Sequence, residues 1–428
     1  LKSSSPRLSL RTAAFSGMPA AEQGQSVYQP LVGDAPARTS QHGVGRFIGL
    51  TAAYLLTLTL AFTVGRYSAP EARLFASPSA SVGTVAPSEL WEPLLTPALR
   101  QEPIAKNTVR RFDAYLMEKA AFADPETKLA NVKQWLAPDF VYSTVGFPDS
   151  KSPAGWCLSG EEQAFRTTFN MSFFSQMLFF GTDEMATTTS YGNVFWSKPL
   201  FGIPPPQRWV YFRVTDFYAA RKISPTRGQL YYNFMMIDYA DLLRRVGRPV
   251  LPAAALPEGL VLTSQANDGV PAPLSVVAKS QDVATARKMA KAALQQDWAG
   301  NGPGGEAWHT NLTFYGPGGI GMARGVDQYR QHVLQPFRAA FADRRLETRI
   351  FGCEGNYCGA FGVLHGRHVA PWLGLEASGT TVALRFALHW HVVGGRALEG
   401  WAIFDVPGLF EQLGLDFFAV AAAMPVQV

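Results

Sequence analysis

Two segments of this chain repeat the same order of landmark residues, and this duplication constrains the fold more than any other feature. Each segment ends on an aspartate that is followed by a leucine four residues later and a glycine nine residues later, Asp238 in the first and Asp405 in the second. A glycine opens a stretch of aromatic residues with helical spacing at nearly the same distance before each aspartate: Gly160, with Phe169 in the predicted helix that follows, and Gly325. Two divergent copies of one domain explain this shared order better than chance.

Within each copy, helical patterns come first and strand patterns follow. Val109, Phe112 and Leu116 recur at helical spacing in the first copy. In the second copy residues 383–393 alternate between apolar and polar side chains, and Gly394-Gly395 predicts a hairpin to the next strand. Helices on one face of an antiparallel sheet form an α+β domain, so this fold class is expected for both copies.

The chain is long enough for two domains and rich in core-forming side chains. It has 428 residues, 47% hydrophobic and 17% charged, which excludes disorder of the whole chain. Most of the net charge of +5 lies in residues 1–73, with seven basic and three acidic residues, and this argues against a nucleic-acid partner. We expect a disordered or targeting tail, a membrane helix, a stalk, a divergent domain, a linker and a final domain at 1–45, 46–66, 67–104, 105–250, 251–279 and 280–428.

One uncharged stretch near the N-terminus has the length of a membrane span. Residues 47–65 contain no charged side chain and are bounded by Arg46 and Arg66. As a helix they extend about 28 Å, close to the thickness of the hydrocarbon core of a bilayer. The basic residues before the stretch predict a cytosolic N-terminus. We therefore expect a single-pass protein of an organelle or endomembrane, with a transit peptide in the first 45 residues as the alternative.

The three cysteines do not indicate a metal site. Cys157, Cys353 and Cys358 are too few for a disulfide framework and lack the paired spacing of zinc ligands. Cys353 and Cys358 form a bridge if strand geometry brings their Cα atoms within about 7 Å, and are free core thiols otherwise. We expect neither a metal nor a cofactor.

The second segment carries a string of residues typical of one protein family. The string consists of Glu399, Trp401, Asp405, Leu409 and the run from Gln412 to Gly414. Weaker matches are Asn311 to Phe314, Arg324-Gly325 and Phe341 to Arg345. Residues 280–420 therefore resemble a SnoaL-like domain of the polyketide cyclase type, within the nuclear-transport-factor-two-like superfamily. Residues 105–250 resemble it in general layout and through Asp238.

The resemblance implies two cone-shaped α+β domains, each a curved antiparallel sheet with N-terminal helices on one face, enclosing an apolar pocket. It also implies dimerisation through the outer face of the sheet, so either the two domains pack together or the protein homodimerises. In cyclase members an aspartate on the last strand is the general acid and base of a cofactor-free aldol ring closure, aided by a histidine on a neighbouring strand. Asp405 corresponds to that aspartate, with His389 or His391 as its partner.

Strand periodicity indicates a polar face near Asp405 independently of the resemblance. One strand places Glu399, Trp401 and Asp405 on the same face, and the preceding strand does so for Arg385, His389 and His391. If this face lined an apolar cavity, desolvation would raise the pKa of the aspartate and suit it to proton exchange near neutral pH. Two other interpretations stay open: Asp405 caps the following helix, and the histidines are hydrogen-bonded core residues.

These patterns give a set of candidate site residues and a ligand class. In the second domain we expect the pocket to be lined by Trp401, Trp308, Asn311, Phe314, Tyr329 and Phe337. In the first domain the candidates are Asp238, Tyr142 and Asn233, and the lack of histidine between residues 100 and 300 argues against cyclase chemistry there. The expected ligand is a small apolar carbonyl compound, converted by cyclase, isomerase or dehydratase chemistry. The alternative is a non-catalytic ligand-binding or protein-assembly module at a membrane.

Overall fold

The computed structural model describes residues 102–116, 124–159, 168–262 and 280–427. The predicted tail and membrane helix, and the predicted stalk up to residue 101, lie outside these ranges. Within the ranges, no single helix is both long enough and apolar enough to cross a bilayer. One helix pair, Val406–Gln412 and Phe417–Ala423, reaches that length and composition jointly, with a bend of 102° between its members.

The first domain begins with helices and continues with a run of strands. Helix α1 buries Val109 and Phe112, as their helical spacing predicts, and Asp124 caps α2 by accepting from the backbone N–H groups of Glu126 and Thr127. The elements are α1 Ile104–Leu116, α2 Pro125–Val132, β1 Leu136–Thr144, α3 Pro153–Cys157, β2 Phe169–Gly181, β3 Met185–Trp196, β4 Arg208–Ser224, β5 Arg227–Ile237 and α4 Tyr239–Arg245.

The second domain has the same general order of helices and strands, with an added short strand and a further helix at its end. Its elements are α5 Ser280–Ala292, a π-helical continuation Ala293–Ala299, β6 Trp308–Tyr315, β7 Met322–Arg324, α6 Val326–Gln328, a π-helical turn Tyr329–Leu334, α7 Gln335–Ala340, β8 Phe341–Glu354, β9 Tyr357–His368, β10 Thr381–Val393, β11 Arg396–Phe404, α8 Val406–Gln412 and α9 Phe417–Ala423. The predicted hairpin joins β10 to β11, where Gly394 and Gly395 adopt φ values of 58° and 78° that favour glycine.

The two sheets share one topology, and the α+β class is confirmed. The strand order is β1-β5-β4-β3-β2 in the first sheet and β7-β6-β11-β10-β9-β8 in the second. The expectation of wholly antiparallel sheets was wrong, because β1 runs parallel to β5 and β6 runs parallel to β11. Short hairpins impose antiparallel pairing only on consecutive strands, whereas a long connection between the first and last strands permits either direction.

Each sheet has helices on one face and the other sheet on its opposite face. Helix α1 packs on β4 and β5, and α5 packs on strands β8 to β11. Between the sheets, the ring of Phe234 stacks on that of Phe361 with centroids 3.9 Å apart. Both faces of both sheets therefore contribute to buried surface, and each domain has an interior between its helices and its sheet.

The β8–β9 hairpin is closed by a disulfide. Cys353 and Cys358 are bonded, with Cα atoms 4.1 Å apart, and Cys157 is buried and lies outside this bridge. Of the two alternatives for the pair, the structure has the bridge.

Candidate functional site

The polar strand face around Asp405 lies between the two sheets. His389 on β10 contacts Thr187 and Thr189 on β3 of the first domain. The opposite face of β10 and β11 surrounds the apolar interior of the second domain, where Phe404 lies 5.2 Å from Trp298. The polar face is therefore at the domain interface, whereas the sequence interpretation had placed it around the pocket.

Asp405 is the N-cap of α8 and half of an ion pair. Its Oδ1 accepts the backbone N–H of Gly408 at 2.8 Å, and its Oδ2 accepts from Nε of Arg385 at 2.6 Å. The guanidinium of Arg385 also donates to the carbonyl oxygen of Thr144 in the first domain at 3.3 Å. This is the arrangement of the capping interpretation, and the acid–base role of Asp405 stays a prediction.

Asp238 occupies the corresponding position in the first domain. It caps α4 through the backbone N–H of Asp241 and pairs with Arg213, 3.4 Å away. Its carboxylate also accepts the backbone N–H of Gly318, and Arg213 donates to the carbonyl oxygen of Ala402, both in the second domain. Burial raises the pKa of Asp238 to about 6, opposed by the charge of Arg213. Asp238 therefore lies at the domain interface, apart from Tyr142 and Asn233.

The two candidate histidines are both buried and both have partners. His389 Nε2 lies 2.7 Å from the hydroxyl of Thr187, and its ring stacks on Phe217. Burial, aided by the charge of Arg213, lowers the pKa of His389 to about 3, so the imidazole is neutral at physiological pH. His391 Nδ1 lies 2.7 Å from Glu399 Oε2.

Of the six residues predicted to line a pocket in the second domain, four pack together and two lie elsewhere. Four rings lie together in the interior, those of Trp308, Phe314, Tyr329 and Phe337, joined through Trp298. Trp401 is instead at the domain interface, where its Nε1 donates to the carbonyl of Leu262, and Asn311 is exposed.

The sequence interpretation missed a carboxylate inside the second domain, Asp297. This residue is fully buried on the π-helical continuation of α5. It accepts from the backbone N–H of Gly305 at 2.8 Å and from Nε1 of Trp308 at 2.5 Å, and the hydroxyl of Tyr329 lies 3.4 Å away. Burial raises its pKa. These hydrogen bonds connect the π-helical segment to the loop at Gly305 and to Trp308 at the start of β6. Asp297 therefore has a structural role.

The interior of the first domain contains two carboxyl groups, Asp113 on α1 and Asp216 on β4, which we call the acid pair. Gln176 Nε2 donates to Asp113 at 3.0 Å, and the Tyr218 hydroxyl lies 3.5 Å from Asp113 and also hydrogen-bonds Asp216. Asn233 Nδ2 donates to Asp216 at 3.2 Å. Hydrogen bonds through the acid pair therefore connect helix α1 to strands β2, β4 and β5 in the interior of the first domain.

Burial perturbs both members of the acid pair. It raises the pKa of Asp113 to about 8, with the charge of Asp216 adding to the shift, and the pKa of Asp216 to about 7. Both side chains are nevertheless only half-buried, although helix and sheet enclose them. The acid pair therefore keeps partial contact with solvent between the helix and the sheet.

The surroundings of the acid pair are aromatic. Tyr142, a predicted site residue, points its hydroxyl at the sulfur of Met235, 3.5 Å away, and its ring contacts that of Trp156. Among the described residues, no acceptor lies within hydrogen-bonding distance of the buried Nε1 of Trp156. The predicted residues Tyr142 and Asn233 are thus brought together with Asp216, and Trp156 adds an unused donor.

A sequence signal for the acid pair existed but was weak. Asp216 stands between Val214 and Tyr218 on one face of a strand whose other face is also buried. Asp113 lies one turn after Val109 on the buried side of α1. The residue pattern therefore indicates a carboxylate on a buried face at both positions. However, a single aspartate on a helix is ordinarily a surface residue.

No metal site emerges from the part of the chain that the structure describes. Within those ranges, no group of three or more His, Cys, Asp or Glu residues is arranged to hold an ion.

Residues 284–413 match the family model of the SnoaL-like polyketide cyclase. The second domain is a SnoaL-like domain. No curated protein matches the chain. Solved structures similar to part of it include a SnoaL-like protein from Jannaschia sp. CCS1, with 16% identity over 34% of this chain and 98% of that one, at a TM-score of 0.28. TsrD from Streptomyces laurentii has 22% identity over 32% and 97%, at a TM-score of 0.26. IdmH from Streptomyces antibioticus has 21% identity over 32% and 98%, at 0.25.

Proposed function

We propose that the interior of the first domain binds a small, uncharged carbonyl compound and exchanges protons with it without a cofactor. The observation that supports this is the acid pair: two carboxyl groups of pKa about 8 and about 7, linked through Tyr218 in a partly accessible aromatic interior. Groups that titrate near neutral pH are suited to both giving and taking protons. The chemistry is of the cyclase and isomerase class found among SnoaL-like proteins.

The two carboxyls have different roles in this proposal. Asp216, with the lower pKa, is the ionised member at neutral pH and removes a proton from the carbon beside the carbonyl. The electron pair of the broken C–H bond forms a C=C bond, and the carbonyl π electrons move to oxygen. Protonated Asp113 donates its proton to that oxygen and gives the enol. The site is restored when Asp216 returns a proton, exchanged with solvent, to the carbon and Asp113 takes back the proton of the enol oxygen.

The charge of the interior selects the ligand class. At neutral pH the acid pair is partly ionised and thus carries negative charge, so an anionic ligand would be repelled. The walls from Tyr142 and Trp156 favour an apolar body, and the unused Nε1 of Trp156 offers a further donor to an oxygen. A neutral bicyclic ketone has these properties.

Deuterium exchange tests the proposal directly. The full chain is incubated in D2O with 2-tetralone, and α-deuterium incorporation is followed by mass spectrometry. We expect Asp216→Asn and Asp113→Asn each to lower the enzymatic exchange rate by about 10²–10⁴-fold with the thermal unfolding temperature retained. Exchange lost in Asp405→Asn and retained in both first-domain variants would place the chemistry in the second domain instead.

A second role is supported by the interface geometry: we propose that the SnoaL-like domain serves as an assembly partner for the first domain. Asp405 and Asp238 cap helices and pair with Arg385 and Arg213, which reach across to the other domain. The intrachain pairing of sheets would then replace pairing between two copies. Analytical ultracentrifugation of the chain without its predicted membrane helix should then show a monomer. A dimer would contradict this role.

The membrane anchor at residues 46–66 is kept as a proposal from the sequence. It would hold the two domains at a membrane surface. After carbonate extraction the full chain should stay with the membranes, whereas a chain lacking residues 46–66 should be in the soluble fraction. Recovery of the full chain in the soluble fraction would refute the anchor.

A further inference from the structure

A carboxylate of the second domain reaches into the framework of the first. Glu354 is the last residue of β8, and each of its carboxylate oxygens lies 2.8 Å from Nζ of Lys106. Its Oε2 also accepts the backbone N–H of Gly181 at 2.8 Å. One side chain therefore joins a helix and a strand of the other domain.

Both of these contacts lie on elements that hold Asp113. Lys106 precedes Asp113 by seven residues on α1, which is two turns and thus the same side of the helix. Gly181 ends β2, the strand from which Gln176 donates to Asp113 at 3.0 Å. Glu354 thus ties the element that carries Asp113 to the element that carries its amide partner.

The contact with Lys106 is enforced by burial. Lys106 is 3% exposed, and a buried ammonium without an anion is strongly unfavourable. The other nearby carboxylate, Glu102, lies 3.9 Å away and accepts from Nε of Arg110 at 2.8 Å. Glu354 is therefore the close anion of Lys106.

The turn that carries Glu354 is fixed on both sides. The disulfide between Cys353 and Cys358 closes the hairpin directly around it. Asn356, two residues after Glu354, places its Nδ2 2.9 Å from Nε2 of His391. The disulfide and the Asn356 contact therefore restrain the turn that carries the Glu354 carboxylate.

We propose that Glu354 is a positioning residue for the acid pair, holding α1 and β2 at the separation at which Asp113 meets Gln176 and Tyr218. The second domain then sets the geometry of the first-domain site, and the disulfide keeps that setting. The inference rests on the proposed function only in taking the acid pair as the reacting groups.

A loosened α1 has a measurable consequence at Asp113. The charged and polar groups that face Asp113 are Arg110 on its own helix, Gln176 on β2, and Asp216 and Tyr218 on β4. Burial is the main reason that the pKa of Asp113 is raised to about 8. Water admitted beside α1 reduces that desolvation, so the pKa falls toward its ordinary value of 3.8.

The experiment compares Glu354→Gln with Glu347→Gln in the full chain. Glu347 is a matched control because it lies on the same strand and pairs with His365 and Arg349 in a partly exposed position. The ¹³C resonance of the Asp113 carboxyl is titrated in each protein, and α-deuterium exchange of 2-tetralone is measured against pH. We expect the Asp113 midpoint and the alkaline limb of the exchange profile, which Asp113 sets as the proton donor, to move down by one pH unit or more in Glu354→Gln alone.

An Asp113 midpoint unchanged in folded Glu354→Gln would overturn the inference. If that variant does not fold, Glu354→Asp keeps the charge with a shorter reach; a smaller downward shift supports the inference and no shift overturns it. The proposed function fails separately, if Asp113→Asn leaves exchange unaltered, because the titration midpoint is measured without any ligand.

Discussion

The interiors of the two domains differ most at positions that the shared topology makes equivalent. In the first sheet Asp216 faces Met235 and Tyr218 faces Asn233 across β4 and β5. At the corresponding places in the second sheet, Leu388 faces Ala402 and Trp390 faces Gly400. The domain that matches the SnoaL-like family model thus has an apolar sheet face, and the divergent domain has the polar one. Fold and chemistry are separable in this chain.

The outer faces of the two sheets, in contrast, are alike. Arg213 and Asp238 in the first domain are repeated as Arg385 and Asp405 in the second, each aspartate capping the helix that follows its sheet. The ring of Phe217 stacks on its structural counterpart, His389, at 5.1 Å. The copies are therefore alike where they meet and differ in the interiors between their helices and sheets.

The largest expected effect tests the likeness of the outer faces. Arg213 has a side chain 1% exposed and Arg385 one that is 26% exposed. Asp238→Ala leaves the buried guanidinium of Arg213 without its anion and should lower the free energy of unfolding by about 3–5 kcal/mol. Asp405→Ala should cost about 2 kcal/mol, since the cap is lost but Arg385 reaches water. Urea unfolding measures both.

Asp416→Ala is the control for that comparison, because Asp416 caps α9 without a buried arginine. It should cost about 1 kcal/mol. If Asp405→Ala costs no more than this control, the Arg385 pair adds nothing to stability and the likeness of the two interfaces is only geometrical.

The next effect concerns the polar interior. The pKa of Asp216 is about 7 in the folded protein and has an ordinary value of 3.8, so the folded state binds a proton that the unfolded state has lost. Stability contributed by this proton is present at low pH and is lost as pH rises toward 7, by about 1.4 kcal/mol per pH unit. Relative to Asp216→Asn, the wild type should therefore lose about 2–3 kcal/mol between pH 5 and 7, since the slope flattens close to pH 7. An equal difference at both pH values would contradict the perturbed interior.

The smallest effect has the opposite sign and belongs to the interface. The pKa of His389 is lowered from 6.5 to about 3, so below pH 6.5 the unfolded state gains a proton that the folded state does not. Relative to His389→Gln, the wild type should lose about 2 kcal/mol of stability between pH 6.5 and 5. Chemical denaturation at the two pH values gives this difference. If NMR showed His389 to be protonated at pH 5, the interface and the acid pair would no longer have opposite pH dependences of stability.

Local signals predicted much of the architecture. The helical spacing of Val109 and Phe112, the turn at Gly394-Gly395 and the α+β order all agree with the structure. An error occurred at Phe169, which was assigned to an aromatic helix and begins strand β2. Aromatic residues at helical spacing also fit a strand that is buried on both faces, so period alone did not distinguish the two.

The sequence by itself determined the duplication, the succession of helices and strands, and which residues share a strand face, because these follow from local periodicity and turn chemistry. Only the tertiary structure decided which face meets the helices and which meets the other sheet. Alternation has the same period on both faces, and both are buried here, so a pattern that groups Arg385, His389 and His391 cannot say what they face. The packing of the two sheets settled it, and assigned the accessible interior carboxyls to the first domain.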